Sequence, residues 1–363
     1  MPKQPLPDIR VSTKRYEDWL GSQIRLIRKD ILRKHAEMSV APFPFMRATY
    51  YRWAEVWPRV CGAAASAPET LSVGDLHAEN FGTWRDAEGR LIWGVNDFDE
   101  ASWLPYTNDL IRLASSVLLA IDAEHIGLNR KDACAVLLAG YRKSLEAGGR
   151  PFALAEHHVA LREMARSRIK DAAVFWEKLS SLESVKDKVP GSARKAIIRM
   201  LPDPKMKHRL VHRAAGLGSL GRQRFAGIGV WCGGMIAREA KELALSACVW
   251  AGPQRRSGRI LYQQILRRAV RCPDPFVRLR ESWIVRRLAP DCSRIELQAL
   301  PRQRDEVRLL DAMGWETANI HLGTAKPRDI LQDLNNRPSN WLNSAAAAMA
   351  DVVHADWSRW RKG

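Results

Sequence analysis

The sequence lacks paired cysteines, long apolar runs and an apolar N-terminal segment. No two of the six cysteines form a C-x-x-C pair, so zinc and disulfide frameworks are disfavoured and six free thiols, several of them buried, are expected in a reducing compartment. No apolar run approaches the ~20 residues that span a bilayer. The N-terminal segment MPKQPLPDIRVSTKR has no apolar core and is not a secretory signal. We therefore expect a cytoplasmic protein without a membrane partner.

Acidic residues are also scarce, with 40 against 58 basic residues and a net charge of +18. This excess favours anionic partners such as nucleotides, nucleic acid or an acidic substrate. The arginines are spread along the chain and are dense over 255–287. Spread arginine is typical of a solvated surface, so charge alone does not decide function. The 363 residues suffice for two or three lobes with a real core.

What the sequence does contain is a polar motif over residues 73–99. Asp75 and Asn80 have the spacing D-x-x-x-x-N. A turn-rich connector over 85–90 follows them, and an apolar run, Leu91–Val95, comes after the connector. This run predicts a short buried strand, and Asp97 and Asp99 follow directly after it. Because polar side chains at the carboxyl ends of buried strands emerge into a crevice, we expect a catalytic loop, a strand and an acidic loop.

These residue types match the requirements of phosphoryl transfer. Magnesium takes oxygen ligands, usually one or two carboxylates plus substrate phosphates. A further carboxylate must accept the proton of the attacked hydroxyl. Asp75 as base, Asn80 and Asp97 as metal ligands and Asp99 as a second-choice ligand supply this set. The alternative is that the aspartates are only turn and cap residues.

D-x-x-x-x-N followed by D-F is also the order of the kinase catalytic and metal loops. The segments GDLHAENFG and NDFDEASWLPYTNDLIRLASS resemble the signature of an uncharacterised bacterial family, domain of unknown function 2252. That family is similar to aminoglycoside phosphotransferases and protein kinases, and the resemblance extends from Pro42 to about Trp360. It implies a kinase-like fold, a structural role for Asp109 in bracing the catalytic loop, and a site role for Arg47 after the Pro-Phe-x-Phe run. An ordinary ion pair is an equal alternative for Arg47.

A glycine-rich stretch begins at Gly216 with G-L-G-S-L-G, which contains Gly218, Ser219 and Gly221. A Rossmann turn would need a helix directly after it, but Arg224–Trp231 is β-like and predicts a hairpin. In kinases such a hairpin covers the nucleotide phosphates and a lysine on the next strand holds them. Lys241, which the family resemblance also selects, suits that role. The alternative is a glycine-rich hairpin with a surface lysine.

Three features depart from ordinary kinases. The glycine-rich stretch follows the catalytic loop instead of preceding it, so the motif order is permuted. Val73 stands where the kinase motif has histidine. The helix predicted over 258–270 contains no acid to pair with Lys241, and four residues are alternatives for that partner: Glu239, Glu242, Gln263 and Gln264.

The predicted organisation is α+β, a two-lobed protein-kinase-like fold with a helix-rich large lobe and a small β-containing lobe. Residues 1–205 form the helical lobe, 206–297 the small lobe, and 298–363 helices that pack back on the helical lobe. The predicted helices cover 13–36, 41–57, 109–121, 130–146, 154–182, 304–322 and 340–361, with a linker over 187–205 and strands over 275–277 and 282–288. Glu316 and His321 are minor site candidates.

The sequence thus predicts a kinase-like phosphotransferase that uses ATP and Mg²⁺. Gly216, Gly218, Ser219, Gly221, Lys241 and Arg47 would bind the nucleotide. The acceptor, a small molecule or a protein, is not specified by the sequence. Two alternatives remain open: a nucleotide-binding pseudokinase or regulatory protein, which the missing helix glutamate favours, and a basic nucleic-acid-binding protein, which no aromatic-basic motif supports.

Overall fold

The computed structural model of the chain describes residues 6–154, 158–166, 171–185, 189–252, 258–292 and 305–362. The fold is mixed α+β, as the sequence predicts. All six cysteines are free, and Cys61, Cys134 and Cys248 are buried, which confirms the expected thiols. No helix in the described ranges combines the length and the apolar character needed to cross a membrane.

The described residues contain fourteen α-helices. They are α1 (Ile9–Gly21), α2 (Arg28–Met38), α3 (Pro42–Ala48), α4 (Tyr50–Val60), α5 (Thr107–Asp122), α6 (Arg130–Ala147), α7 (Val159–Arg166), α8 (Ala172–Ser180), α9 (Gly191–Ile198), α10 (Ala247–Ala251), α11 (Tyr262–Arg268), α12 (Asp305–His321), α13 (Pro327–Asn335) and α14 (Trp341–Lys362).

Ten strands in the same ranges form three antiparallel sheets. The strands are β1 (Glu69–Ser72), β2 (Phe81–Arg85), β3 (Leu91–Val95), β4 (Ser102–Pro105), β5 (Phe152–Ala153), β6 (His208–His212), β7 (Arg224–Trp231), β8 (Gly234–Glu242), β9 (Arg278–Arg280) and β10 (Trp283–Leu288). β1 pairs with β4, and a second sheet has the order β2-β3-β5. The largest sheet has the order β6-β7-β8-β10-β9.

The helical body is organised around α5. Residues 107–120 of its sequence TNDLIRLASSVLLAID are all buried, the polar ones included, so α5 is covered on every face and lies inside the core. Accordingly α14 packs along α5, and α12 packs along α6 on the same body. The predicted helix over 109–121 and strand over 91–95 are confirmed, because α5 and β3 occupy those residues.

The five-stranded sheet presents a different set of residues on each face, because successive side chains along a strand alternate. Leu210 and Phe225 face α9 in one apolar cluster. Val211 and Ala226, which are their chain neighbours, face α8 in another cluster. On β8 the α8-facing residue is Ala237. Glu239 and Lys241 continue that same face towards the helical body.

The N-terminal prediction requires correction. A single helix over 13–36 is wrong, because the chain leaves the helix at Ser22 and resumes it at Arg28. The interruption allows the amide of Ile27 to donate to the carbonyl of Gly221 at 2.8 Å. A tertiary contact with the glycine-rich stretch therefore overrides a continuous helical pattern.

The boundary between the two bodies also differs from the prediction. Residues 191–198 of the expected linker are helix α9, and α8 and α9 pack on the five-stranded sheet rather than on the helical body. The helix expected over 154–182 is two helices, α7 and α8, in its described parts. The first predicted small-lobe strand lies three residues later, at β9, because Asp274 turns the chain by accepting the amide of Phe276.

Two glycines set the distance between α6 and α12. A Cβ built on Gly314 would overlap the carbonyl oxygen of Leu137, and one on Gly140 would overlap that of Asp311. The backbones of the two helices therefore touch, and any side chain at either position would force them apart.

We expect Gly314→Ala to lower the unfolding free energy by about 1–3 kcal/mol, because overpacking exceeds the gain in helix propensity. Chemical denaturation measures the change. Gly191→Ala is the matched control, since nothing lies within 4 Å of its Cβ position, and should cost nothing. Equal stability of Gly314→Ala and the wild type would contradict the close helix contact.

Candidate functional site

The loop that carries Asp75 is held by a buried carboxylate. Asp109, at the start of α5, accepts the amides of Val73 at 2.7 Å and Gly74 at 2.9 Å. Gly74 has φ +81° and no room for a Cβ, since it would overlap the carbonyl oxygen of Glu100. At the other end of the loop, Asn80 Nδ2 donates to the Asp75 carbonyl at 2.6 Å. The bracing role predicted for Asp109 is confirmed.

The carboxylate of Asp75 contacts an arginine that sequence reasoning missed. Arg112 Nε donates to Asp75 Oδ1 at 2.8 Å, and its Nη2 also reaches the carbonyl of Met46 at 2.9 Å. Burial raises the pKa of Asp75 to about 6, and the positive charge of Arg112 opposes that rise. Asp75 is therefore ionised at neutral pH but more basic than an exposed aspartate. The signal in the sequence was a lone arginine inside the apolar α5 run, because buried arginine usually has a partner.

Lys241 meets the acidic loop across 144 positions of sequence. Its Nζ lies 2.6 Å from Asp99 Oδ1 and 3.3 Å from Asp97 Oδ1. Lys241 is 1% exposed, and burial lowers its pKa while the two aspartates oppose that shift. Burial and the charge of Asp97 raise the pKa of Asp99 to about 6. The early acidic loop and the late lysine thus form one buried charge cluster.

The residues proposed as partners of Lys241 have other contacts. Glu239 pairs with Arg213, Arg224 and Arg286. Glu242 accepts from Gln223 at 3.0 Å, and Gln263 accepts the amide of Leu279 at 3.1 Å. The sequence left the partner of Lys241 open among four residues, and the acidic loop supplies it instead, through Asp97 and Asp99.

The glycine-rich loop joins β6 to β7 and lies against the loop that carries Asp75. A Cβ on Gly218 would lie 3.5 Å from Asp75 Oδ2 and 3.0 Å from the carbonyl of Arg47, so the backbone of Gly218 lies close to both. Ser219 Oγ accepts from Arg224 Nη2 at 2.7 Å. Gly221 has φ +96° and packs against Ile31 of α2.

Most of the predicted site residues surround one cavity of about 50 Å³, which we call the small cavity. Its lining includes Arg47, Asp75, Asn80, Asp97, Asp99, Gly216, Gly218 and Ser219. Lys241 lies behind the two aspartates instead of in the lining, and Gly221 lies against α2. Arg47 Nη1 forms an ion pair with Glu79 at 2.5 Å. Arg47 therefore combines the two alternatives given for it, because it is in an ion pair and also lines the small cavity.

A second cavity of about 690 Å³, the large cavity, shares the lining residue Gly216 with the small cavity. Seven arginines line it, five of them from the segment 255–287 that the sequence assigned to solvated surface: Arg213, Arg224, Arg267, Arg271, Arg278, Arg286 and Arg287. Arg271 is stacked over Trp84 and Phe98. This concentration of arginine makes the large cavity suited to an anionic ligand.

Two minor candidates prove to be supports. Glu316 Oε1 accepts the amide of Val95, at the end of β3, at 3.2 Å. His321 contacts Asp109 Oδ2 through Nε2 at 3.1 Å and the hydroxyl of Tyr141 through Nδ1 at 2.7 Å. Both residues are buried behind the loops that carry the aspartates, and neither lines the small cavity.

Two further charged residues, missed in the sequence, complete the site. Arg222 Nη2 donates to Glu100 Oε1 at 2.8 Å, and its Nη1 lies 3.8 Å from Asp99 Oδ2. Glu100 Oε2 accepts the amide of Ala247 at 2.7 Å, which ties the acidic loop to the start of α10. Adjacency to the N-D-F-D motif was the only available signal for Glu100.

Asn80, Asp97 and Asp99, which all carry side-chain oxygens, line the small cavity. The amide nitrogen of Asn80 donates to the Asp75 carbonyl, and its side-chain oxygen is not part of that bond. Asp97 and Asp99 already share the positive charge of Lys241. Within the described ranges, no group of three or more His, Cys, Asp or Glu side chains is arranged to hold a metal. An ion here would therefore need water and phosphate oxygens as additional ligands.

A family model described as an uncharacterised protein conserved in bacteria, domain of unknown function 2252, matches residues 26–208. The match covers half of the chain and includes Arg47, Asp75, Asn80, Asp97 and Asp99. It ends before the glycine-rich loop and Lys241, so it is shorter than the resemblance identified in the sequence. Searches of curated proteins and of solved structures return no match.

The protonation of Glu316 gives a prediction for stability. Burial raises the pKa of Glu316 to about 7, so the folded chain keeps a proton that the unfolded chain loses above its ordinary value of 4.5. The unfolding free energy should therefore fall as pH rises through this window. Glu316→Gln should be more stable than the wild type above pH 7, by up to about 3 kcal/mol, with little difference below pH 4.5.

Chemical denaturation across that pH range measures the effect. Glu146→Gln, an exposed change on α6, is the control and should leave the pH profile unaltered. Parallel profiles for Glu316→Gln and the wild type would show that Glu316 is not protonated in the folded protein.

Proposed function

The chain belongs to the bacterial family of domain of unknown function 2252, and we propose that it is a kinase-like phosphotransferase that moves the γ-phosphoryl group of ATP to a hydroxyl acceptor. The observation that carries this proposal is the contact of Lys241 with Asp97 and Asp99 beside Asp75. Phosphoryl transfer depends on positioning and on stabilising charge, and this cluster concentrates the required groups at one point.

The arrangement of the five-stranded sheet supports the proposal. A glycine-rich loop joins its first two strands in sequence, and Lys241 lies on the third. Protein kinases use a glycine-rich loop over the phosphates and a lysine on the third strand of the small lobe. The strand register brings the lysine close to the loop. Lys241 pairs with Arg224, the first residue of β7 after the glycine-rich loop. The strand pairing therefore fixes Lys241 next to the end of the glycine-rich loop.

In the proposed reaction Asp75 accepts the proton of the acceptor hydroxyl. The acceptor oxygen forms a bond to the γ-phosphorus as the bond from that phosphorus to the β–γ bridging oxygen breaks, and ADP leaves with those electrons. Asn80 and Asp97, with Asp99 as a second-choice ligand, would hold magnesium, which neutralises phosphate charge. Arg112 orients the Asp75 carboxylate.

The nucleotide would extend from the small cavity into the large cavity. The small cavity holds about 50 Å³, which excludes a whole nucleotide, whereas the large cavity of about 690 Å³ is within the usual range of ligand pockets. Gly216 lines both, so the glycine-rich loop spans the passage between them. The arginines of the large cavity would complement the charge of the nucleotide and stack on its base.

A second candidate function is nucleotide binding without transfer. The observation that favours it is the bond between Asp75 and Arg112, because the positive charge of Arg112 opposes the rise in the pKa of Asp75 that burial causes. Binding of ATP and magnesium without transfer to any tested hydroxyl compound would favour this candidate. Phosphate transfer that depends on Asp75 would favour the enzyme.

Removing the metal ligand tests the proposal. We expect Asp97→Ala to lower magnesium-dependent ATP turnover by about 10²-fold or more, since charge-stabilising groups contribute at least that much. Turnover is measured as phosphate release, and circular dichroism checks the fold. Asp18→Ala, which removes an exposed ion pair with Lys14, is the control and should retain full turnover. Equal turnover in Asp97→Ala and the wild type would remove Asp97 from the metal site.

Removing only the base separates binding from chemistry. Asp75→Asn keeps an oxygen that can accept from Arg112 but cannot take a proton. We expect this variant to retain the increase in melting temperature that ATP and magnesium produce, and to lose turnover by about 10²-fold or more. Turnover at the wild-type rate would show that Asp75 is not the base.

A further inference from the structure

Lys34, on helix α2, is a buried cation that the proposed roles above do not use. Its side chain lines the small cavity together with Asp75, although it is only 5% exposed. Helix α2 lies across the glycine-rich loop, where Ile27 binds the carbonyl of Gly221 and Ile31 packs on the same glycine. Lys34 Nζ contacts the carbonyl of Gly218, near the tip of that loop, at 3.3 Å.

Lys34 differs from the other buried cations of the site because it has no counter-ion. Arg112 pairs with Asp75, Arg222 with Glu100 and Lys241 with Asp99. For Lys34, the contacts found within the described ranges are the Gly218 carbonyl and the ring of Tyr51 at 5.8 Å, and no carboxylate lies within ion-pair distance. A buried charge without a partner is costly, and an anion at this place would offset that cost.

The protonation state of Lys34 agrees with an anion-binding role. Burial lowers its pKa to about 8, while the nearby charges of Glu17, Glu100 and Asp75 oppose the shift and Arg222 adds to it. Lys34 therefore stays mostly protonated at neutral pH. Its ammonium group can still donate to an anionic oxygen there.

The size and position of the small cavity define the anion. Its volume of about 50 Å³ has room for only a few water molecules, so it suits a small group such as a single phosphoryl group. Asp75 and the acidic loop would repel a carboxylate that arrives without a cation. A phosphoryl group bound with magnesium would bring its own positive charge. Gly218 places the loop backbone next to both Lys34 and Asp75.

We propose that Lys34 is a further catalytic residue, which binds an oxygen of the phosphoryl group during its transfer at Asp75. The proposal rests on the phosphotransferase function proposed above and deepens it. Helix α2 supplies a cation in the lining of the small cavity, whereas Lys241 lies behind Asp97 and Asp99. Cations held in this way stabilise the charge that develops on the equatorial oxygens.

Inorganic phosphate with magnesium is the probe for the first test, which does not depend on activity. We expect Lys34→Met to weaken phosphate binding at least tenfold by calorimetry. We also expect it to melt at a higher temperature than the wild type without ligand, because it removes an unpaired buried charge. Lys29→Met, an exposed change on the same helix, should match the wild type in both measurements.

Three results would overturn the proposal: no phosphate binding by the wild type, equal affinity in Lys34→Met, or a lower melting temperature of Lys34→Met. The last would mean that Lys34 is a structural residue, since a lysine that only supports the fold should lose stability when removed.

Kinetics give the second test. Lys34→Met should lower kcat for ATP turnover by about 10²-fold, with a smaller change in KM, and Lys34→Arg should recover part of the loss. An unchanged kcat in Lys34→Met would refute the role of Lys34 while the proposed function stands. Absence of turnover in the wild type would refute the proposed function instead, and phosphate binding would still decide whether Lys34 holds an anion.

Discussion

The contact of the Lys241 ammonium with the carboxylates of Asp97 and Asp99 is the interaction on which the site depends. Taking these groups out of water is costly, and removing one partner would leave an uncompensated buried charge. Two carboxylates and one ammonium group have a net negative charge. Arg222, whose Nη1 lies 3.8 Å from Asp99 Oδ2, partly compensates that charge. Because the cluster spans both bodies, it fixes the five-stranded sheet relative to the acidic loop.

Carboxylates perform two different tasks around this cluster. Asp109 and Glu316 accept main-chain amides and do not line the small cavity, so they hold a loop and a strand end. Asp75, Asp97 and Asp99 line the cavity and contact side-chain cations. Glu100 does both, because it lines the cavity, pairs with Arg222 and accepts the amide of Ala247. Sequence spacing alone does not separate the two tasks, since both use the same residue types.

The parts that the sequence predicted are those governed by local patterns. The bounds of β3 follow from one apolar run between turn residues, and α5 follows from an apolar run after Asp109. The convergence of Asp75, Asn80, Asp97 and the glycine-rich loop was predictable only through motif spacing. The break after α1, the packing of α9 on the sheet and the arginines of the large cavity were missed. All three features depend on contacts between segments that are distant in sequence. The arginines were missed for a second reason, because the sequence pattern of a basic residue is the same on a solvated surface and in a cavity.

The late position of the five-stranded sheet in the chain has a physical explanation in the sheet itself. Strands β6, β7 and β8 pair with their neighbours in sequence, and β9 pairs with β10, so most of the sheet forms from short-range contacts. Such a unit loses little loop-closure entropy when it forms and can follow the loop that carries Asp75 in the chain. The chain then returns to the helical body, where α12 packs on α6 and α14 on α5. Side chains that form one cluster need convergence in space and not a fixed chain order, so a sheet placed late can still present Lys241 to aspartates that come early.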